Sequence, residues 1–236
     1  MKDKRVFFNP VRMMSPKLDA EALKIEDLHQ HPVSENLTIE EGLLVMLSKL
    51  VEMTRLTRLA FISDCPEEIS ACEKLAGDVH QQEKILTSNL ACSLTEPRDV
   101  CRAIMLFPTH LERIGDFLEN VLNCCRIKSR DGVPFSEKAL FEIDDLLSSA
   151  MELLRNLRDS IVAPNGFLLS HIISEAKRLD QLGQDMEVAH VDRLLDGSAS
   201  PRSSSLYLDM LESIQSLLRH VQTMAEDLIS ILPKSI

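Results

Sequence analysis

Apolar residues recur every three to four positions along most of this chain, the spacing that places them on one face of an α-helix. Glycine is scarce, with 7 residues in 236, and aromatic residues make up 4%, which favours long leucine-rich helices over a β-rich fold. We therefore predict an all-α fold of six long antiparallel helices. Their predicted ranges are 38 to about 62, 66 to about 93, 95 to about 127, 136 to 164, about 167 to 195, and about 205 to 232.

Residues typical of helix ends mark several of these boundaries. Thr38 and Glu41 have the spacing of a capping box at the start of the first helix, and Ser136 is suited to cap the fourth. Pro108 lies inside the third predicted helix, where proline removes a backbone hydrogen bond, so we predict a kink there. The segment 197–205, rich in Gly, Ser and Pro, is predicted to be the most flexible internal linker.

The six helices fall into two groups of three, because the run Asp131-Gly132-Val133-Pro134 interrupts the chain midway. We predict two repeated three-helix bundles, residues 37–131 and 132–236. Residues 1–36 carry three helix-breaking prolines and are predicted to form an irregular N-terminal arm. This arm is basic and apolar, and packing on its own bundle is favoured over docking on a membrane, a transporter or a partner subunit.

The internal repeat is visible when the last helix of each group is aligned. At an offset of 110 residues, Gly115 aligns with Ala225, so a small residue is retained, whereas Glu112 aligns with Gln222, so one acidic residue is lost. His110 aligns with His220, and Asp116 aligns with Glu226. The second and fifth helices align at an offset of 107, which pairs His80 with Glu187 and Glu83 with His190.

Composition excludes several classes of protein and places this one in the cytoplasm. A formal net charge of −11 argues against a nucleic-acid partner, which needs a basic surface. The six cysteines have neither paired zinc-site spacing nor the density of a disulfide scaffold, so we expect reduced thiols. No stretch reaches the roughly 18 apolar residues of a transmembrane helix, and the N-terminus lacks a signal peptide.

The third predicted helix carries acidic residues on the side opposite its apolar stripe. Glu112, Asp116, Glu119 and Asn120 lie together there, whereas Leu111 begins the apolar stripe. Glu112 and Asp116 are one turn apart and can direct their oxygens at one cation, provided that neighbouring helices supply further ligands. The alternative is an ordinary solvated acidic face.

Histidine and carboxylate pairs three residues apart supply the further ligands. They predict two metal sites, the first formed by His80, Glu83, Glu112 and Asp116, and a weaker second one by Glu187, His190 and Glu226, beside neutral Gln222. Mixed imidazole and carboxylate ligands suit Fe, Mn, Zn or Ni. We leave out His110 and His220, which lie on the other side of their helices. The chain has no nucleophile elbow, phosphate loop or dinucleotide fingerprint, so we do not expect an enzyme.

The run Glu112-Arg113-Ile114-Gly115-Asp116, with Asn120-Val121 behind it, resembles the signature of the PhoU family of phosphate-signalling regulators. The resemblance implies two three-helix bundles with metal clusters held on their surfaces by Glu/Asp-x-x-x-Asp pairs. It also implies partners: the cytoplasmic component of a phosphate transporter, a sensor kinase, or both. The chain departs from that pattern, because histidines enter the proposed sites and the second repeat lacks one acid.

Three hypotheses follow. The leading one is a cytoplasmic regulator or adaptor of phosphate transport or signalling, with a structural or regulatory metal. The second is a ferritin-like di-metal oxidase, since Glu187 and His190 have the Glu-x-x-His form, although that design needs two such motifs and two further glutamates in one core. The third is a metal-free helical interaction module. Homo-oligomerisation is left open.

Overall fold

The computed structural model describes residues 37–64, 66–92 and 104–232, with the backbone alone at 91 and 92. Long helices and short connections make up this part of the chain, with no strand in it. The helices are α1 (Ile39–Ser63), α2 (Pro66–Cys92), α3 (Phe107–Asp131), α4 (Glu137–Val162), α5 (Gly166–Leu195) and α6 (Pro201–Ile231). The predicted all-α, six-helix fold is confirmed. The predicted N-terminal arm, residues 1–36, and the predicted start of the third helix lie outside the described residues.

Capping residues start two of the helices where the sequence predicted. Thr38 Oγ1 accepts a hydrogen bond from the Glu41 backbone N–H (3.2 Å), and Glu41 Oε2 accepts one from the Thr38 N–H (2.9 Å), which completes the capping box. Ser136 Oγ accepts from the Ala139 N–H at the start of α4. At the C-terminal end of α3, Gly132 adopts a left-handed conformation (φ 58°), which glycine allows at little cost.

One prediction about a helix boundary is wrong, and proline explains it. Pro201 begins α6, where its missing N–H breaks no helical bond, and Ser200 caps the helix by accepting from the Arg202 N–H (3.3 Å). Pro108 lies in the first turn of α3; residues 104–105 before it are also helical, and a turn at Leu106 separates the two segments, so the helix is interrupted next to this proline. The predicted flexible linker therefore ends at Ser200, and residues 201–205 are helical.

Helices α1, α2 and α3 pack against one another, and so do α4, α5 and α6. The two groups meet where α1 contacts α4 and α3 contacts α6. One continuous cluster of buried apolar side chains runs through both groups. Within the described residues, no helix combines the length and apolar character that crossing a membrane requires.

Close packing between α1 and α2 depends on Gly42. A Cβ atom at this position would lie 2.3 Å from Leu86 Cδ2, a distance that real side chains do not tolerate. The buried Lys49 side chain on α1 also pairs with Asp78 on α2 (2.6 Å), directly before Val79 and His80. These contacts hold α2 in register beside α1, with its next residues facing α3.

Candidate metal centre

The candidate site lies where α2 and α3 run side by side. On α3, Leu111, Ile114 and Leu118 are fully buried in the core. Since side chains one turn apart share a face, burying this stripe directs Glu112 and Asp116 to the edge of the helix next to α2. There α2 presents His80, next to fully buried Val79.

Three of the four residues predicted for the first site come together. His80 Nδ1 lies 3.4 Å from Glu112 Oε1, and His80 Nε2 lies 4.0 Å from Asp116 Oδ1. One ligand atom from each of these residues lies within 4.8 Å of the other two. In the described part of the chain no other group of three or more His, Cys, Asp or Glu side chains meets that criterion. All three side chains are partly exposed, so a hydrated ion has access to them.

Glu119 also belongs to this cluster, although the sequence did not assign it to a site. Its Oε2 atom lies 3.1 Å from His80 Nε2. The sequence did contain an indication of this position, because Glu119 follows Asp116 by three residues and Glu112 by seven. It therefore lies on the same helical face as both. The imidazole of His80 therefore has three carboxylates around it, and the ligand atoms of two of them, Glu112 and Asp116, converge with it. Arg113 offsets part of this charge by donating to Asp116 Oδ2 (3.1 Å).

Glu83, the fourth predicted ligand, lies outside the cluster. Its Oε1 atom accepts a hydrogen bond from Thr87 Oγ1 (2.8 Å) within α2. Glu83 lies about one helical turn along α2 from His80, and it is not among the residues whose ligand atoms converge there.

The residues predicted for the second site do not converge. His190 is buried (2% exposed), bonds to Ser204 Oγ (3.0 Å) and stacks on Tyr207 with ring centroids 4.3 Å apart. Glu187 is exposed on α5. Glu226 accepts from Gln222 Nε2 (2.8 Å) and lies 3.6 Å from Lys177 Nζ. The apolar stripe of α5 draws its histidine into the core, away from Glu226.

His190 belongs instead to a buried polar network in the second repeat. Burial lowers the pKa of its imidazole, and the nearby Arg193 cation lowers it further. Tyr207 donates its hydroxyl hydrogen to Glu142, whose carboxylate also accepts two bonds from Arg193 (2.9 and 3.2 Å). Burial raises the pKa of Tyr207, and its bond to Glu142 adds to that shift. This arrangement ties α4, α5 and α6 together and keeps His190 in the core, away from the other residues predicted for the second site.

Comparisons with known proteins point in one direction. No family model matches the chain. The phosphate-specific transport system accessory protein PhoU homolog 1 of Thermotoga maritima is 22% identical over 128 residues, 54% of this chain and 54% of that protein. The crystal structure of PhoU from Pseudomonas aeruginosa matches with a TM-score of 0.70 and 17% identity, covering 81% of this chain and 93% of that one. This chain is similar to PhoU in fold and, over about half of its length, in sequence.

The predicted resemblance to PhoU proteins is confirmed. The structural match establishes the helical-bundle fold, and the PhoU-like chain spans about half the length of the curated relative in the aligned region.

Proposed function

We propose that this PhoU-like chain is a cytoplasmic regulator or adaptor of phosphate transport or signalling that acts through protein contacts. The curated relative is named as an accessory protein of a phosphate-specific transport system, which supports that role. The partner would be the cytoplasmic component of a phosphate transporter, a sensor kinase, or both. The proposal includes no catalytic step.

We further propose that a transition-metal ion binds the acidic surface between α2 and α3. The observation that carries this proposal is the convergence of His80 with Glu112 and Asp116 from the neighbouring helix. Oxygen and nitrogen ligands bind Zn²⁺ tetrahedrally at about 2.0–2.2 Å, so two ligands of one ion lie about 3.3–3.6 Å apart. The separations of 3.1–4.0 Å around His80 need only small side-chain movements to reach that arrangement.

The imidazole of His80 has carboxylates at both ring nitrogens. Nδ1 faces Glu112, while Nε2 faces Asp116 and Glu119. One nitrogen can bind an ion while the other donates its hydrogen to a carboxylate, an arrangement that orients metal-ligating histidines in proteins. Fe, Mn, Zn and Ni suit such mixed ligands. The ion would fix α2 against α3 and neutralise part of the acidic surface that a partner meets.

Metal quantification of the purified protein, with anomalous diffraction at the Fe, Mn, Ni and Zn edges, tests this site directly. We expect one ion contacting His80 and at least one of Glu112 and Asp116. The Glu112→Gln/Asp116→Asn variant should lose it. Glu83→Gln is the matched control, because Glu83 is an acid of the same region that lies outside the cluster, and this variant should retain the ion.

A metal-free interaction module is the second candidate, and one observation favours it. His80 bonds to Glu119, and Arg113 bonds to Asp116, so the cluster is partly satisfied by protein groups alone. Metal-free protein that binds its partner equally well with and without added ions would establish this alternative. The ferritin-like hypothesis finds less support, since Glu187 is exposed on α5 and does not face a core. Oxygen consumption by iron-loaded protein would revive it.

A further inference from the structure

Two histidines at equivalent positions of the internal repeat contact each other. His110 lies in the first turn of α3, and His220 lies on α6, where the two helices join the bundles. Their Nδ1 atoms are 2.7 Å apart, and their ring centroids are 5.0 Å apart. The contact therefore joins α3 of the first group of helices to α6 of the second.

Side chains from both α3 and α6 surround the two imidazole rings. The Phe117 ring packs beside His220, with centroids 5.6 Å apart. Asp227 on α6 acts electrostatically on His110, whereas Arg113 and Arg219 act on His220. Both imidazoles are partly buried, and burial lowers the pKa of each. The Nδ1 atoms of His110 and His220 face each other at hydrogen-bond distance and share one hydrogen.

We propose that His110 and His220 form a binding site for a transition-metal ion that prefers nitrogen ligands, such as Cu²⁺, Ni²⁺ or Zn²⁺. Metal–nitrogen bonds of about 2.0–2.1 Å at a tetrahedral angle place two ligand nitrogens about 3.3 Å apart. The 2.7 Å contact therefore has to open by about 0.6 Å for an ion held at this angle to replace the shared hydrogen. Water completes the coordination, because both rings remain partly exposed.

This site is separate from the acidic cluster. His110 and Glu112 point to opposite sides of α3, since residues two apart on a helix are rotated by about 200°. Glu112 faces α2 in the first bundle, whereas His110 faces α6 in the second. The two sites also differ in chemistry, because imidazole pairs select Cu²⁺, Ni²⁺ and Zn²⁺ over Mn²⁺. An ion on the histidine pair would link the two bundles directly.

Copper titration of the full chain tests the proposal in a background that lacks the first site, Glu112→Gln/Asp116→Asn. We expect one bound Cu²⁺ whose electron paramagnetic resonance spectrum carries the hyperfine pattern of two imidazole nitrogens. Adding His110→Gln or His220→Gln should weaken binding at least about tenfold, because even groups that only orient a ligand contribute about 10–100-fold. The same change should leave at most one coordinated nitrogen.

The control is His171→Gln on α5, which removes an exposed histidine and should leave affinity and spectrum unchanged. Circular dichroism establishes that each variant is folded, and a metal-dependent rise in Tm that disappears in His220→Gln gives a second readout. Equal affinity and an unchanged nitrogen pattern in both histidine variants would overturn the proposal. The background variant separates this outcome from failure of the acidic site.

Discussion

His80 Nε2 lies 3.1 Å from Glu119 Oε2, which is closer than either ring nitrogen lies to the two carboxylates that the sequence assigned to this site. The acidic face of α3 thus extends over two helical turns, with the imidazole of α2 placed between its ends. An ion bound to His80 would therefore have Glu119 beside it, as a ligand or as a hydrogen-bond partner of the histidine.

Replacing Glu119 with glutamine should weaken metal binding. If Glu119 orients His80 or binds the ion, Glu119→Gln should raise the Kd for Zn²⁺ about 10–100-fold. Isothermal titration calorimetry measures the change, with Glu212→Gln on the exposed face of α6 as the control. An affinity equal to that of the unmodified protein would remove Glu119 from the site.

Metal should strengthen association with a partner if the acidic surface is part of the contact. We expect the Kd for the cytoplasmic component of a phosphate transporter to fall when Zn²⁺ or Mn²⁺ is added. This dependence should vanish in Glu112→Ala/Asp116→Ala. Surface plasmon resonance with and without a chelator measures both. Identical curves under the two conditions would reduce the cluster to a solvated acidic face.

Gly42→Ala should destabilise the fold, because its new methyl group would collide with Leu86. Overpacking of this kind costs about 1–3 kcal/mol. Gly77→Ala on α2 is the matched control, since nothing lies within 4 Å of a Cβ there. Alanine is the better helix former by about 1 kcal/mol, so this control should be neutral or stabilising. Urea unfolding compares the two, and equal midpoints would refute the predicted close approach.

Stability should decrease as the pH falls below neutrality, partly because of His190. Burial lowers the pKa of this imidazole in the folded protein, whereas the unfolded chain takes up the proton near the ordinary histidine value of about 6.5. Protons therefore favour the unfolded state as the pH falls through that value, and the free energy of unfolding decreases.

His190→Gln removes this contribution and should flatten the pH dependence of the unfolding free energy between pH 7 and pH 5. Part of the slope should persist, because burial also lowers the pKa values of His110 and His220. Urea titrations at several pH values measure the slope. The exposed-site variant His171→Gln serves as the control, and equal slopes for all three proteins would contradict the prediction.

Several features of the candidate site could be predicted from local sequence. The buried stripe of α3 follows from apolar spacing, and this stripe orients Glu112 and Asp116 toward the outside of the bundle. The capping box at Thr38 likewise needs only neighbouring residues. Pro201 shows where local reasoning failed, because the sequence placed it in the linker, whereas it occupies the first turn of α6, a position that proline also favours.

The sequence by itself determined the six helices, the side of each that is buried and the helix that carries the acidic run. Only the tertiary structure decided that His80 joins that run while Glu83 does not, that His190 lies in the core, and that His110 meets His220. Periodicity gives the direction of a side chain around its own helix axis. It does not give the displacement of one helix along another, and a shift of one turn, about 5.4 Å, exceeds the spacing between two ligands of one ion.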